Sequence, residues 1–96
     1  MKPFYWDGFK EEQLIRVRGV SFKDVVDEIE AGRVLHVEDH PNPLKYWNQR
    51  VYIVELKNYA YLVPFVEEEE YIFLKTIIPS RKATKKYLKK GSDERP

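Results

Sequence analysis

The hydrophobic period of this chain changes near Arg33, and this change limits the folds that the chain can adopt. Upstream of Arg33, apolar residues at i, i+3, i+4 and i+7 predict a helix with one buried face. These residues are Phe22, Val25, Val26 and Ile29. Downstream of it, β-branched and aromatic residues partly alternate with polar ones, a pattern typical of strands. The chain is therefore expected to form helices first and a sheet afterwards.

The pattern predicts seven elements in the order α-α-β-β-β-β-α. Helices are predicted at residues 11–18, 22–29 and 81–89, and strands at residues 34–39, 51–56, 59–66 and 71–78. Alternation within the last strand predicts that Ile72, Leu74 and Ile78 share one face. Short connections favour an antiparallel meander packed against helices. The predicted fold is α+β, with two N-terminal helices, a four-stranded antiparallel sheet and a basic C-terminal helix.

Turn and cap residues set the limits of these elements. The predicted N-caps of the three helices are Asp7, Ser21 and Ser80. Gly19 and Gly32 are predicted to end the first two helices. Pro64 has no N–H for a strand ladder, so it predicts a sheet edge or a bulge in the third strand.

The composition is that of one soluble domain. The chain has 96 residues, of which 43% are hydrophobic and 15% aromatic, enough to bury a single core. We expect this domain to span residues 1–90 and residues 91–96 to form a flexible tail. No apolar run reaches the ~20 residues of a membrane span, and the first residues lack the order of a signal peptide. A cytoplasmic location is therefore expected.

The chain contains no Cys and only two His. Disulfides, thiolate zinc sites and cysteine nucleophiles are thereby excluded, and two histidines cannot complete a tetrahedral zinc site by themselves. An enzyme of this composition is expected to work without a metal or another cofactor.

Positive charge is concentrated near the C-terminus. The net charge is only +1, yet residues 81–90 contain six basic residues and no acidic one. These six are Arg81, Lys82, Lys85, Lys86, Lys89 and Lys90. Such a run is either a solvated helix face or a contact surface for a polyanion or an acidic protein.

Three cations near predicted strand ends are candidates for binding a phosphate. Lys75 interrupts an apolar strand, so its ammonium must reach solvent, a carboxylate or an anionic ligand. Arg50 lies where the second strand begins, and it could equally pair with a carboxylate on the surface. Arg81 begins the last helix, where it could receive an anion together with the helix amides or form only a salt bridge.

Histidine and aromatic side chains complete the set of candidates. His40 lies in a loop and could transfer protons near neutral pH, whereas His36 is more typical of a structural histidine. Tyr46, Trp47 and Tyr87 could stack on bases, although a place in the core is the commoner role in a chain so rich in tyrosine.

Four segments occur along nearly the whole chain in a distinctive order. They are Trp6-Asp7-x-x-Lys10, Gly19-Val20-Ser21-Phe22, Arg50, and Ile78-Pro79-Ser80-Arg81-Lys82-Ala83-Thr84. In this order they resemble the pattern of BrnT-type toxins of bacterial toxin–antitoxin pairs. Where that family commonly has a Lys-His pair, this chain has Val17-Arg18.

The resemblance implies a RelE-like ribonuclease fold and metal-independent RNA cleavage that arrests translation. It also implies neutralisation by a cognate antitoxin, expected to be a ribbon-helix-helix protein, with DNA contacted only through that antitoxin and no membrane partner. By position, the resemblance assigns Arg50 and Arg81 as the functional arginines. Lys10 and Trp6 are further candidates on the same basis.

The predicted site joins these residues in one cationic groove across the sheet. Arg50, Arg81 and Lys75 would neutralise the charge that develops at the scissile phosphate. His40, or a tyrosine such as Tyr87, would transfer protons. The residues expected to contact RNA are Lys10, Lys45, Lys82, Lys85, Lys86 and Tyr87.

A second function remains open at this point. The chain could be a non-catalytic binding module whose sheet edge and basic helix dock an acidic partner protein or an antitoxin–DNA complex. The toxin hypothesis requires Arg50 and Arg81 to converge in one cleft, whereas the binding-module hypothesis does not.

Overall fold

A computed structural model describes residues 2–88, so the predicted tail and the end of the last predicted helix lie outside the described residues. Within this range the helices are α1 (Gly8–Arg18), α2 (Phe22–Glu30) and α3 (Arg81–Leu88). The strands are β1 (Phe4–Tyr5), β2 (His36–Asp39), β3 (Gln49–Leu56), β4 (Tyr59–Glu67), β5 (Ile72–Leu74) and β6 (Ile78–Pro79). The α+β class predicted from the sequence is confirmed.

β4 is the central strand of the sheet. The strand order is β1-β5-β4-β3-β2, and β6 also pairs with β4. Neighbours from β2 to β5 are antiparallel, as a meander requires, but β1 pairs with β5 in parallel. The prediction of a four-stranded, wholly antiparallel sheet is therefore wrong. β1 has only two residues, too few for alternation to identify it in the sequence.

A bulge divides the predicted last strand into β5 and β6. Leu74 pairs with Phe65, and Ile78 pairs with Leu62. One side of the ladder thus contains one more residue than the other, which reverses the alternation of side chains. Ile77 is fully buried while Ile78 is 39% exposed. The prediction that Ile78 shares the buried face of Leu74 is therefore wrong.

Pro64 lies in β4 beside this bulge. Its carbonyl accepts a hydrogen bond from the Lys75 N–H at 2.8 Å. Because proline has no N–H to donate, an irregularity in the neighbouring strand is expected at this position. The sequence predicted an edge or a bulge in the strand of Pro64 itself, but the extra residue lies in the neighbouring segment between Leu74 and Ile78.

The helix ends are set by the residues that the sequence predicted. The Asp7 carboxylate, the Ser21 hydroxyl and the Ser80 hydroxyl each accept a hydrogen bond from a backbone N–H of the following turn. Gly19 and Gly32, with φ angles of 70° and 75°, follow the ends of α1 and α2. Among residues 2–88, no helix has the length and apolar character needed to cross a bilayer.

The helices cover both faces of the sheet. α1 and α2 pack on one face, where the main core consists of Leu14, Val20, Phe22, Val25, Val54, Leu56, Tyr61, Val63, Phe65, Ile72, Leu74 and Ile77. α3 packs on the other face, where a smaller core consists of Ile53, Ala60 and Ala83. Because side chains alternate along a strand, β3 contributes Ile53 to one core and Val54 to the other.

Thr84 attaches α3 to the beginning of β4. Its hydroxyl accepts a hydrogen bond from the N–H of fully buried Ala60 at 2.9 Å and donates one to the Ser80 carbonyl at 2.8 Å. Just after β6, the Ser80 N–H donates a hydrogen bond to the Ala60 carbonyl at 3.0 Å. The Thr84 hydroxyl supplies the acceptor for the Ala60 N–H, in place of a strand carbonyl at the end of the ladder.

We predict that Thr84→Val lowers the free energy of unfolding by about 1–3 kcal/mol, because it leaves the buried Ala60 N–H without an acceptor. Urea denaturation followed by circular dichroism measures this loss. Thr84→Ser keeps the hydroxyl and is expected to retain most of the stability. A loss in Thr84→Ser with no loss in Thr84→Val would show that the methyl group, rather than the hydrogen bond, stabilises α3.

Candidate functional site

Arg50 forms the centre of a small cluster of charges at one end of the sheet. Its Nη2 donates a hydrogen bond to Glu67 Oε1 at 3.0 Å, and Lys2 Nζ donates one to Glu67 Oε2 at 2.9 Å. The Arg50 guanidinium also lies 5.4 Å from the centre of the Phe65 ring. Each oxygen of the Glu67 carboxylate is thus bound by a different cation.

The strand ladder positions this cluster. In the β3–β4 hairpin, Arg50 pairs with Phe65, two residues before Glu67, the last residue of β4. Glu67 is held further by its own N–H, which donates to the Asn48 carbonyl at 2.8 Å. Lys2 reaches the same point because β1 runs beside β5. The pairing of β1, a strand that the sequence did not reveal, therefore brings one of the three charged groups into the cluster.

The two cations favour the ionised form of Glu67. The hydrogen bond from Lys2, and after it that from Arg50, holds the pKa of this carboxyl below its ordinary value of 4.5, although partial burial acts in the opposite direction. Tyr52 stacks on Phe65 nearby, with ring centres 4.0 Å apart, and burial raises the pKa of its phenol. At neutral pH the site therefore contains a carboxylate and a neutral phenol.

An open cleft of about 660 Å³ lies over this cluster, and we call it the Arg50 cleft. Besides Lys2, Arg50 and Glu67, it is lined by Asp39, Trp47, Asn48, Glu68 and Glu69. The wall thus combines two cations with several carboxylates. Lys2 and Arg50 both contact Glu67, so the positive charge is concentrated at one point of an otherwise acidic rim.

Trp47 projects into solvent beside this cleft. Its side chain is 72% exposed. The other two aromatic residues considered for base stacking are half-buried: Tyr46 packs on His40, with ring centres 4.4 Å apart, and Tyr87 stacks on His36 at 5.9 Å. Of these three, Trp47 is the one whose faces remain available to a nucleobase.

His40 has a structural contact in the same loop. Its Nδ1 accepts a hydrogen bond from the Asn42 N–H at 3.0 Å. The His40 ring is thus held against the backbone of its own loop, and His40 is not among the residues that line the Arg50 cleft. Lys45 lies nearby, exposed, with its ammonium 5.4 Å from the Tyr46 ring centre.

The structure does not bring Arg50 and Arg81 together. Arg50 lies in register with Phe65, a residue of the main core, and so belongs to the face covered by α1 and α2. Arg81 is the first residue of α3, which packs on the opposite face. Lys75 lies exposed at the bulge and is not part of the Arg50 cleft. The prediction of one groove containing all three cations is therefore wrong.

The remaining predicted RNA contacts are divided between two other surfaces. Lys82, Lys85 and Lys86 are exposed on α3 with Arg81. Lys10 is half-buried on α1. It lines a groove beside β6 that contains none of these α3 residues. Among residues 2–88, no cluster of three His, Cys, Asp or Glu side chains is arranged to hold a metal ion.

Comparison with protein-family models, curated proteins and solved structures gives no match for this chain. The assignment of the site therefore rests on geometry. Sequence reasoning identified Arg50 but missed Lys2 and Glu67. The run of four glutamates offered a signal for Glu67, because its first member directly follows a predicted strand. Lys2 carried no such signal.

We predict that the Glu67 ion pairs stabilise the fold in a pH-dependent way. Because the pKa of Glu67 is lowered on folding, its contribution is present above the ordinary value of 4.5 and is lost as the pH falls through the lowered value. Glu67→Gln should therefore reduce the free energy of unfolding at pH 7, and the difference from the unsubstituted protein should disappear at an acidic pH below the lowered value.

Urea denaturation at both pH values tests this, with Glu69→Gln as the control. Glu69 is exposed in the same acidic turn, so its substitution removes an equal charge. If the two variants lose the same stability at pH 7, the ion pairs of Glu67 contribute nothing beyond the general charge of the turn.

Proposed function

We propose that the chain is the toxin of a toxin–antitoxin pair, a metal-independent ribonuclease that acts at the Arg50 cleft. The observation that carries this proposal is the Glu67 carboxylate held between two cations, Lys2 at 2.9 Å and Arg50 at 3.0 Å, beside the exposed indole of Trp47. The resemblance to BrnT-type toxins supports it, with a RelE-like fold and a cytoplasmic location as parts of the proposal.

The chemistry requires a base for the ribose 2′-hydroxyl. Glu67 is ionised at neutral pH and has an acceptor oxygen at an open surface. A guanidinium has five N–H donors and an ammonium has three. When a phosphodiester enters, Arg50 and Lys2 can therefore donate some of their hydrogen bonds to the phosphate oxygens instead of to Glu67. This exchange frees the carboxylate to accept the 2′-hydroxyl proton.

The cations then stabilise the developing charge. The 2′-oxygen attacks the adjacent phosphorus, the bond to the 5′-oxygen breaks, and Lys2 is the group placed to return a proton to the leaving oxygen. Arg50 stabilises the negative charge on the phosphoryl oxygens. The products are a 2′,3′-cyclic phosphate and a 5′-hydroxyl end, and no metal takes part.

Trp47 gives the site a place for a base. Stacking of a nucleobase on an exposed aromatic ring contributes about 1–3 kcal/mol and tolerates different bases. With the indole and the Glu67 cluster on the same cleft wall, a bound nucleotide would have its base on Trp47 and its phosphate at Arg50. This contact compensates for the acidic rim, which weakens the long-range attraction of RNA.

The second candidate function is the binding module, and the position of α3 favours it. Arg81, Lys82, Lys85 and Lys86 are exposed on the face opposite the Arg50 cleft. A strand of RNA bound at the cleft would have to pass around the sheet to reach them. In this alternative, α3 docks an acidic protein, such as the antitoxin, or an antitoxin–DNA complex, and the chain cleaves nothing.

We predict that expression of the chain alone arrests bacterial growth and that the purified protein cleaves a short RNA. Arg50→Ala and Glu67→Gln should each reduce cleavage by about 100-fold or more. Arg33→Ala is the matched control, because Arg33 forms a similar ion pair with Glu28 at 2.9 Å outside the cleft. Circular dichroism is used to check that each variant is folded.

The two functions differ in the result expected for α3. On a dinucleotide, Arg81→Ala should leave cleavage unchanged if the Arg50 cleft is the catalytic site. Absence of cleavage by the unsubstituted protein, with retained binding of an acidic partner lost in Arg81→Ala, would favour the binding module. Full activity of Arg50→Ala would remove the Arg50 cleft from the mechanism.

A further inference from the structure

A second concave surface lies between α1 and β6, and we call it the α1–β6 groove. It has a volume of about 370 Å³. Its apolar residues are Leu14, Val17 and Ile78, and its cations are Lys10, Arg16 and Arg18. The other two lining residues, Gln13 and Thr76, are neutral and polar, so within residues 2–88 no carboxylate lines the groove.

The apolar part of this groove is unusually open to solvent. Val17 is 74% exposed, although it lies within a helix that packs on the core. Ile78 is 39% exposed because the bulge turns Ile77 inward in its place. Burial of such side chains against a partner is favourable at roughly 25 cal/mol per Å² of apolar area. An open aliphatic surface with a charged border is typical of a protein contact.

The charged residues of this groove are all cations, and one of them, Arg18, is held in place by a hydrogen bond. Arg18 Nη1 donates a hydrogen bond to the Ile77 carbonyl at 2.8 Å, which fixes its position at the junction of α1 and β6. Lys10 and Arg18 are eight residues apart on α1, a distance of ~12 Å along the helix. The positive border therefore extends along about two helical turns.

We propose that the α1–β6 groove binds an acidic amphipathic helix of a partner protein. Aliphatic side chains of that helix contact Val17 and Ile78, and its carboxylates lie beside Lys10, Arg16 and Arg18. An extended segment fits less well, because β6 has only two residues and offers too short an edge for strand addition.

RNA is disfavoured as the occupant. Recognition of single-stranded RNA combines cations with aromatic rings on which bases stack. In the part of the chain that the structure describes, no aromatic residue lines this groove. The groove shares no lining residue with the Arg50 cleft. The inference thus goes beyond the proposed function and stands or falls independently of RNA cleavage.

The test uses a synthetic 18-residue helical peptide with leucine on one face and glutamate on the other. Fluorescence anisotropy measures its binding to the full chain, and amide chemical shifts in NMR spectra locate it. We expect binding with shifts concentrated at Leu14, Val17, Thr76 and Ile78. A matched peptide with lysine in place of glutamate should not bind.

Two pairs of variants separate the groove from the general charge of the protein. Arg16→Glu should weaken binding of the acidic peptide by about tenfold, whereas Lys85→Glu on α3 should leave it unchanged. Val17→Asp should weaken it similarly, whereas Ile15→Asp, on the same helix but outside the groove, should not. All four positions are exposed, so these variants are expected to fold.

Three results would overturn the proposal. They are the absence of shifts in the groove with the acidic peptide, an equal effect of Lys85→Glu and Arg16→Glu, and shifts in the groove on addition of a uridine dodecamer but not of the peptide. The last result would make the groove an RNA site. Cleavage activity is measured separately, so its absence would not affect the outcome.

Discussion

The register of the β3–β4 hairpin determines the positions of most other features of this protein. Lys57 and Asn58 form its turn with positive φ angles, 55° and 66°, which suit the twist of a tight hairpin. From this turn the ladder continues to the pair Gln49 and Val66. A shift of β3 by one residue would exchange its two faces and would move Ile53 and Val54 to the opposite cores.

This register also separates the charged surfaces. It places Arg50 on the face covered by α1 and α2, near the far end of the ladder from the turn. It places Ala60 near the turn, where Thr84 binds α3 to the opposite face. The basic helix and the Arg50 cleft therefore lie on different sides of the sheet. A partner that contacts only α3 would therefore leave Glu67 uncovered.

The sequence predicted local structure well where side chains act over short distances. Asp7, Ser21 and Ser80 were identified as helix caps because a cap depends only on the next few residues. The sequence did not predict the bulge after Leu74, because the alternation of residue types continues through residues 75–78. The extra residue becomes apparent only from the pairing with β4. Pro64 was the one local sign of it.

Prediction of the site was limited by the same physics. The prediction that Arg50 and Arg81 converge was wrong because it depended on the face of the sheet that α3 covers. That face is set by tertiary packing. Lys2 and Glu67 could not be joined from the sequence, since their contact depends on the parallel pairing of a two-residue strand. Residue types near strand ends identified one cation of the cleft but not its carboxylate partner.

The parallel pairing of β1 with β5 affects the order in which the chain can become functional. Lys2 and Glu67 are separated by 65 positions, and closing so long a loop costs more entropy than forming the β3–β4 hairpin. Such a contact is therefore expected to form after the local contacts of the hairpin. The helices and the central hairpin can therefore be in place while the cleft still lacks its second cation. The Glu67 cluster is complete only when the whole sheet has closed.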